Sequence, residues 1–474
     1  MIRQLSWNSS AKGEITVFLS LTFVLILSFI LAMLDGAMLQ TAKGDARLAA
    51  DLAIFSAFGE YQLELLEEYG IFALEGSYEG GSFDERNLMD RMAYFGAVGI
   101  EQEIVGIQFL TDNNGQAFRE QVLYYMEEKY GISYAVDFLG LEREWGQQEI
   151  EGEQAFKEEE GVMAELSKML EDEEIEMPLE GNPITHVAKL REQSLLSLVM
   201  PSENPLSTLS ISLDNHASKR TLRTGRGEFP NRINVSGVEQ RLLYQEYVIE
   251  KFNHATSKLK DEDEESEGRD EGRQRNLAYE IEYILEGQGS DIQNLERVVA
   301  KILLIRMGLN LTHILTDREK KRQVSTLATK LSVKAPVLKP FIETALMIAW
   351  AFGESIMDIR TLMEGNKVAI LKTKDNWQLS LANLEKLGTP GERSSGKDDD
   401  KGMSYEDFLR VFLFASNSNR ITMRTIDRVE QNMWVELEKD FFKIDNCISK
   451  VRVSNRAIIR NGITYDFPLY FSYL

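Results

Sequence analysis

Residues 15–34 read ITVFLSLTFVLILSFILAML, 20 residues without a charge. No other feature constrains the chain as strongly. At the rise of an α-helix such a run is about 30 Å long, the thickness of a bilayer's hydrocarbon core. A helix also satisfies its own backbone polar groups inside lipid. The polar members Thr16, Ser20, Thr22 and Ser28 carry hydroxyls that can bond back to helix carbonyls. The run therefore reads as a single membrane span with Ile15, Val17, Phe18, Leu19, Phe23, Leu27, Leu31 and Leu34 in its apolar body. It is longer than the apolar region of an ordinary cleaved signal peptide. The best rival, ALMIAWAF at residues 345–352, is bracketed by Glu343 and Glu354 and reads as a buried helix of the soluble part. Arg3 and Lys12 precede the span, and Lys43 and Arg47 follow it. That tie in the orienting bases is tilted slightly by Asp35, Asp45 and Asp51 on the far side. The expected location is the cell membrane, with the N-terminus cytoplasmic and the bulk of the chain extracellular.

The rest of the chain is acidic. Its 474 residues hold 76 acids against 53 bases, a net charge of −23. A nucleic-acid binder needs a basic footprint, so that class is set aside. A hydrophobic share of 43% is enough to bury a sizeable core. The one cysteine, Cys447, allows no intrachain disulfide and no zinc site built from several thiolates.

The helical pattern runs on past the span. Ala42, Ala46, Ala49, Ala53 and Ala57 recur at three- and four-residue steps and so share one face. Leu48, Leu52, Phe55 and Leu63 add bulk beside that stripe, and Gly70 supplies a stop. The pattern predicts one helix of about 55 residues, part span and part stalk. Its alanine stripe can pack on the chain's own outer domain, or against copies or relatives of itself.

The stretch KGEITVFLSLTFVLILSFILAMLDGAMLQTAKGDARLAADLAIFSAF resembles the N-terminus of TadG/TadE-like proteins of Tad (Flp) pilus systems: a short basic leader, a glycine, one apolar span and an alanine-rich helix. More closely, the chain resembles an uncharacterised family of membrane-anchored proteins from Gram-positive bacteria, described beside Tad-type pilus genes. EEYGIFAL (67–74), EYILEGQGSDIQNL (282–295), LLIRMGLN (303–310) and AWAFGESIMDIRTLMEG (349–365) carry that second likeness. The resemblance implies the membrane and other pilus or envelope proteins as partners. It also makes Gly13 and Glu14 the candidate leader-processing junction. Pilin-like leaders are cut after a glycine and carry glutamate at the fifth mature position; here Phe18 stands fifth and Glu14 first. That departure leaves an uncut anchor as the other reading.

The expected fold is mainly α with a small β-sheet, an α+β arrangement. It comprises a short basic tail (1–14), the span (15–34), the helix continuation (35–70) and a first part of the outer domain (71–257) with an acidic helical segment at 138–180. A charged loop (258–275), a helical core (276–387), an exposed loop (388–402), and helices with a terminal β-hairpin (403–474) follow. Residues 88–97, 114–130, 240–252, 291–315, 319–331, 337–363 and 405–416 read as helices, and 103–110 as a strand. The prolines of MPSENPLSTLS (200–210) mark a linker or loop. Ser404 and Asp407 form a capping box. Asn461-Gly462 predicts a type I′ turn, with 71–74 and 103–110 as candidate partner strands.

No residues present themselves as catalytic, cofactor-binding or metal-ligating. GERSSGKD (391–398) has Asp398 where a phosphate loop needs Ser or Thr, and DEDEESEGRDEG (261–272) has Ser266 where a calcium loop needs its glycine. His186, His216, His254 and His313 lack ligand spacing and are expected on helix surfaces or caps; Cys447 is expected to be a buried or idle thiol. The chain is therefore expected to be no enzyme and to need no cofactor. Its expected role is that of a structural or assembly component of a Tad-type pilus or related envelope apparatus, the alternative being a membrane-anchored binding or sensing module. Neither oligomeric state nor partner identity follows from the residues.

Overall fold

The computed structural model describes residues 10–130, 182–201, 205–230, 237–257, 275–392 and 394–473. The acidic segment at 138–180 and nearly all of the charged loop at 258–275 lie outside the described residues, as do most of the basic tail and residues 202–204 of the expected linker. The architecture is α+β: mostly helical, with a small antiparallel sheet.

Helix α1 (Ser10–Phe58) runs unbroken for 49 residues. The expected continuation to Gly70 is corrected here. The chain turns at 59–62 and restarts as α2 (Leu63–Tyr69). The cause is tertiary: the Gln62 amide bonds to the Ala73 carbonyl at 2.9 Å, and so is lost to a helical ladder. Gly70 is the stop foreseen for it, with φ 68° and its N–H on the Leu66 carbonyl. Only glycine suits this position, because an added Cβ would sit 2.5 Å from the Tyr125 ring.

After β1 (Leu74–Glu75) come α3 (Glu85–Tyr94), β2 (Ile100–Phe109) and α4 (Asp112–Tyr130); the sheet is completed by β3 (Cys447–Ile459) and β4 (Ile463–Ser472). All pairings are antiparallel and all involve β3. β2 lies along one edge, from Ile100↔Ala457 to Phe109↔Ile448. β4 takes the other edge from Ile459↔Ile463 to Lys450↔Ser472, and β1 extends that edge at Leu74↔Ile448. The terminal hairpin is present, but its two-residue turn is not. Arg460–Gly462 form a three-residue 3-10 turn in which Gly462 has φ 73°. A left-handed last residue lets Ile459 face Ile463 directly.

One face of the sheet is apolar by alternation. Val451, Val453 and Ala457 of β3 join Phe467 and Leu469 of β4 over Ala50, Ala53, Ile54, Ala57 and Phe58 of α1 and Leu88 and Met92 of α3. Toward α4, the sheet meets the large helical core. Lys450 of β3 pairs with Glu120 of α4 at 2.7 Å with both side chains buried. The Gln121 amide clasps both the N–H and the carbonyl of Phe72, each at 2.7 Å.

The helical core contains α5 (Pro183–Arg191), α6 (Leu195–Val199), α7 (Val238–Lys251), α8 (Glu280–Glu286), α9 (Asp291–Thr316), α10 (Arg318–Leu331), α11 (Lys339–Met363), α12 (Tyr405–Ala415) and α13 (Ser418–Val435). α9 and α11 lie at its centre and bury Leu295, Val298, Ile302, Leu346, Trp350 and Ile356. Residues 345–352 are part of α11, and all but the half-buried Met347 are buried. α9 is long and apolar enough to cross a membrane, but 61% of its apolar window is buried, which marks it as a core helix. Ser404 and Asp407 form the full capping box of α12.

Candidate functional site

The features that set this molecule apart begin with α1. Every apolar side chain between residues 15 and 34 is exposed. Its hydroxyls turn back onto the helix: Ser20 donates to the Val17 carbonyl at 2.9 Å, Thr22 to Phe18 at 2.8 Å and Ser28 to Val24 at 2.7 Å. So large an apolar surface is not left to water, and a helix of this length and character can anchor in a membrane. α1 already runs through Gly13 and Glu14, so the candidate junction is itself helical.

Above the span the two sides of α1 differ. Ala53 and Ala57 are buried beneath α3 and the sheet, while Ala42, Ala46 and Ala49 are half covered. Phe58 stacks on Phe471 with ring centroids 4.3 Å apart, and the Tyr473 hydroxyl donates to the Phe58 carbonyl at 2.7 Å. Lys43 lies 5.4 Å from the centroid of the Tyr465 ring. The upper alanines are thus a seat for the chain's own sheet. On the far side Leu48, Leu52 and Phe55, spaced i, i+4, i+7, point outward, Phe55 with 69% of its surface exposed. Ala53→Leu should therefore overpack the seat and destabilise the outer domain by about 1–3 kcal/mol. Ala42→Leu should change stability by less than about 0.5 kcal/mol. Urea unfolding of both variants checks this, and equal effects would mean that the stripe is not seated in this way.

The histidines need a correction. His216 and His254 are buried rather than superficial. His216 Nδ1 meets the Tyr283 hydroxyl at 2.7 Å, and that hydroxyl donates to Asp427 at 2.8 Å. Burial pushes the His216 imidazole down, against the pull of Asp427. Cys447 is buried at the start of β3, and burial pushes its thiol well up, so it is a poor nucleophile. In the 391–398 loop Asp398 accepts the Lys367 N–H at 2.9 Å, and the Gly396 N–H goes to the Met357 carbonyl at 3.0 Å. Those groups hold the loop onto α11 and the segment after it.

Sequence reasoning missed the buried charge clusters. Asp358 of α11 accepts from Arg306 Nε at 2.9 Å and from Asn310 at 3.1 Å, and lies within ion-pair distance of Arg306 Nη2 at 2.8 Å and Lys372 Nζ at 2.6 Å. Lys372 also pairs with Glu354 at 2.7 Å. Burial alone would raise the Asp358 carboxyl, but Arg306 and Lys372 hold it below its ordinary value. Burial raises Glu354, with Asp358 adding to the rise. A second cluster joins Glu280 of α8 to Arg428 of α13 at 3.0 Å and to Arg275 at 2.6 Å. A third joins Arg220 to Glu430 and Asp445 at 2.6 and 2.5 Å. The partners lie far apart in sequence, and the only local sign was a charge inside an apolar run, such as Arg306 in LLIRMGLN. Among the described residues no group of three or more potential ligands is placed to hold a metal ion.

These clusters fall inside a recognisable stretch, because residues 173–458 match a family of unknown function, DUF5702. The chain belongs to this family. No curated protein and no solved structure matches it. The DUF5702 stretch ends within β3, yet β1, β2 and β4 outside it pair with that strand. The helical DUF5702 core and the seat of α1 are therefore joined through one sheet.

Proposed function

We propose that this DUF5702 protein is a non-catalytic, single-pass membrane protein that serves as a structural or assembly component of a Tad-type pilus or related envelope apparatus. Its N-terminus is cytoplasmic, its outer domain is extracellular and its leader is retained. The reading rests on the TadG/TadE-like character of residues 12–58. One observation carries it: a single unbroken helix is exposed and apolar through the span, seated in the outer domain by Ala53 and Ala57, and apolar again on its outer side at Leu48, Leu52 and Phe55. A helix held at both ends transmits position without a hinge, and its free apolar row is available to another envelope helix. The test is a photo-crosslinking residue at Leu52 in cells, with intact-mass measurement of the purified protein. Near-stoichiometric adducts with a second envelope protein, on a chain starting at Met1, are expected. Adducts with lipid alone would sink the assembly reading. A chain starting at Glu14 in the sheared surface fraction would replace the retained anchor with a processed, pilin-like subunit.

A further inference from the structure

Away from α1, a solvent-open cavity of about 270 Å³ lies between the first turns of α10 and the segment after α11. Lys320 lines it with only 8% of its surface exposed. Its ammonium lies 3.6 Å from the centroid of the Trp377 ring and 4.4 Å from that of Trp350. It makes no hydrogen bond or ion pair with any described residue, although its stem is buried. The indole faces add cation–π attraction, and the three N–H donors meet no acceptor on any described residue.

The other groups around the cavity divide unevenly. Its carboxylates are engaged: Asp317 accepts the Glu319 and Lys320 N–H groups at 2.7 and 3.3 Å, and Glu319 pairs with Lys374 at 2.8 Å. The side-chain amides of Gln323 and Gln378 have no partner among the described residues. A neighbouring cavity of about 500 Å³ shares Gln323 and adds Arg322 and Lys330, which form no ion pair with a described residue. The surroundings thus offer the free donors of Lys320, Gln323 and Gln378 and carboxylates already engaged, with the two glutamine amide oxygens as the remaining free acceptors, beside an indole wall, in a chain whose net charge is −23. A ligand that supplies acceptors and negative charge completes such an inventory.

We infer that this cavity is a binding site for an anionic phosphate or carboxylate group, held by the Lys320 ammonium with Gln323 and Gln378 as further donors. The inference is independent of the assembly role. It has a pH signature. Burial pushes the Lys320 amine down to about 8, against the pull of Glu354, Asp317 and Glu319 and with the push of Lys372. The site therefore loses its cation, and its affinity, as pH rises through that value. Any anion it holds in turn favours the protonated amine.

The test is tryptophan fluorescence of the full-length protein in detergent micelles. It is titrated with inorganic phosphate and, separately, with glucuronate, against chloride at matched ionic strength. At least one probe should give a saturable change at pH 7 that weakens about tenfold by pH 9.4, where Lys320 is mostly neutral. Lys320→Met should weaken it at least tenfold, and Lys320→Arg should stay within about threefold, as expected for a charge-assisted contact. Should Lys320→Met fail to fold, the exposed Gln378→Leu reports instead, with an expected loss of about threefold for one hydrogen bond. Phosphate alone saturating assigns a phosphate-bearing ligand; glucuronate alone assigns a carboxylate-bearing one. No saturable response to either probe overturns the inference, as does a response that the informative variant leaves unchanged.

Discussion

Asp358→Asn is expected to destabilise the outer domain by about 3–5 kcal/mol. The substitution preserves shape and removes one charge. Arg306 and Lys372 would then remain buried with less negative charge than they require, and the new amide would turn donors toward donors. The penalty comes from the unpaired cations left behind rather than from the bond removed. Because Arg306 sits on α9 and Asp358 on α11, the loss falls on the central helix pair of the core. A protein of ordinary stability has about 5–15 kcal/mol in all, so the variant should accumulate poorly or melt early. The control is the exposed Glu319–Lys374 pair, whose removal should leave the unfolding midpoint in place. Urea unfolding followed by circular dichroism compares the two. An unmoved midpoint for Asp358→Asn would show that the carboxylate does not hold α9 to α11.

That contrast also marks what the sequence could and could not reveal. The span, the Gly70 stop, the capping box of α12 and the terminal hairpin are local signals, complete within a few residues. The central helices were legible for the same reason: α10 carries a 3.6-residue pattern, and α9 and α11 are long, largely apolar runs. The missed features are non-local. The end of α1 depends on the Gln62 amide finding Ala73 across a turn. The hairpin was legible as a pair of strands, but the length of its turn goes with the register that sets Leu469 of β4 opposite Val453 of β3 in the cluster over α1. His216 reads as a surface residue until Tyr283 and Asp427, at 67 and 211 positions' remove, close around it. The Lys320 cavity has no motif at all: Trp350 and Trp377 come from either side of the α11 terminus.

The largest change of behaviour is expected from Val24→Arg combined with Leu25→Arg in the middle of the span. Each arginine at a helix centre opposes insertion by about 2.5–3.5 kcal/mol. The 14 Leu, Ile, Phe and Val residues between 15 and 34 favour it by about 0.3–0.6 kcal/mol apiece, or roughly 4–8 kcal/mol together. Two central arginines therefore cancel most of the drive, and the protein should leave the carbonate-resistant membrane fraction. Its outer domain should still fold, because the part of α1 that seats it begins near Ala46, well above the changed residues. Retention of the double variant in membranes would mean that something other than residues 15–34 holds the chain there. The same two arginines at Leu48 and Leu52 make the decisive comparison. Those side chains are exposed and lie outside the span, so membrane retention and folding should both survive. Under the assembly reading the Leu52 crosslink partner, probed then from Phe55, should be lost. Anchoring and assembly would thus separate along one helix: charge at 24 and 25 abolishes the first, and charge at 48 and 52 only the second.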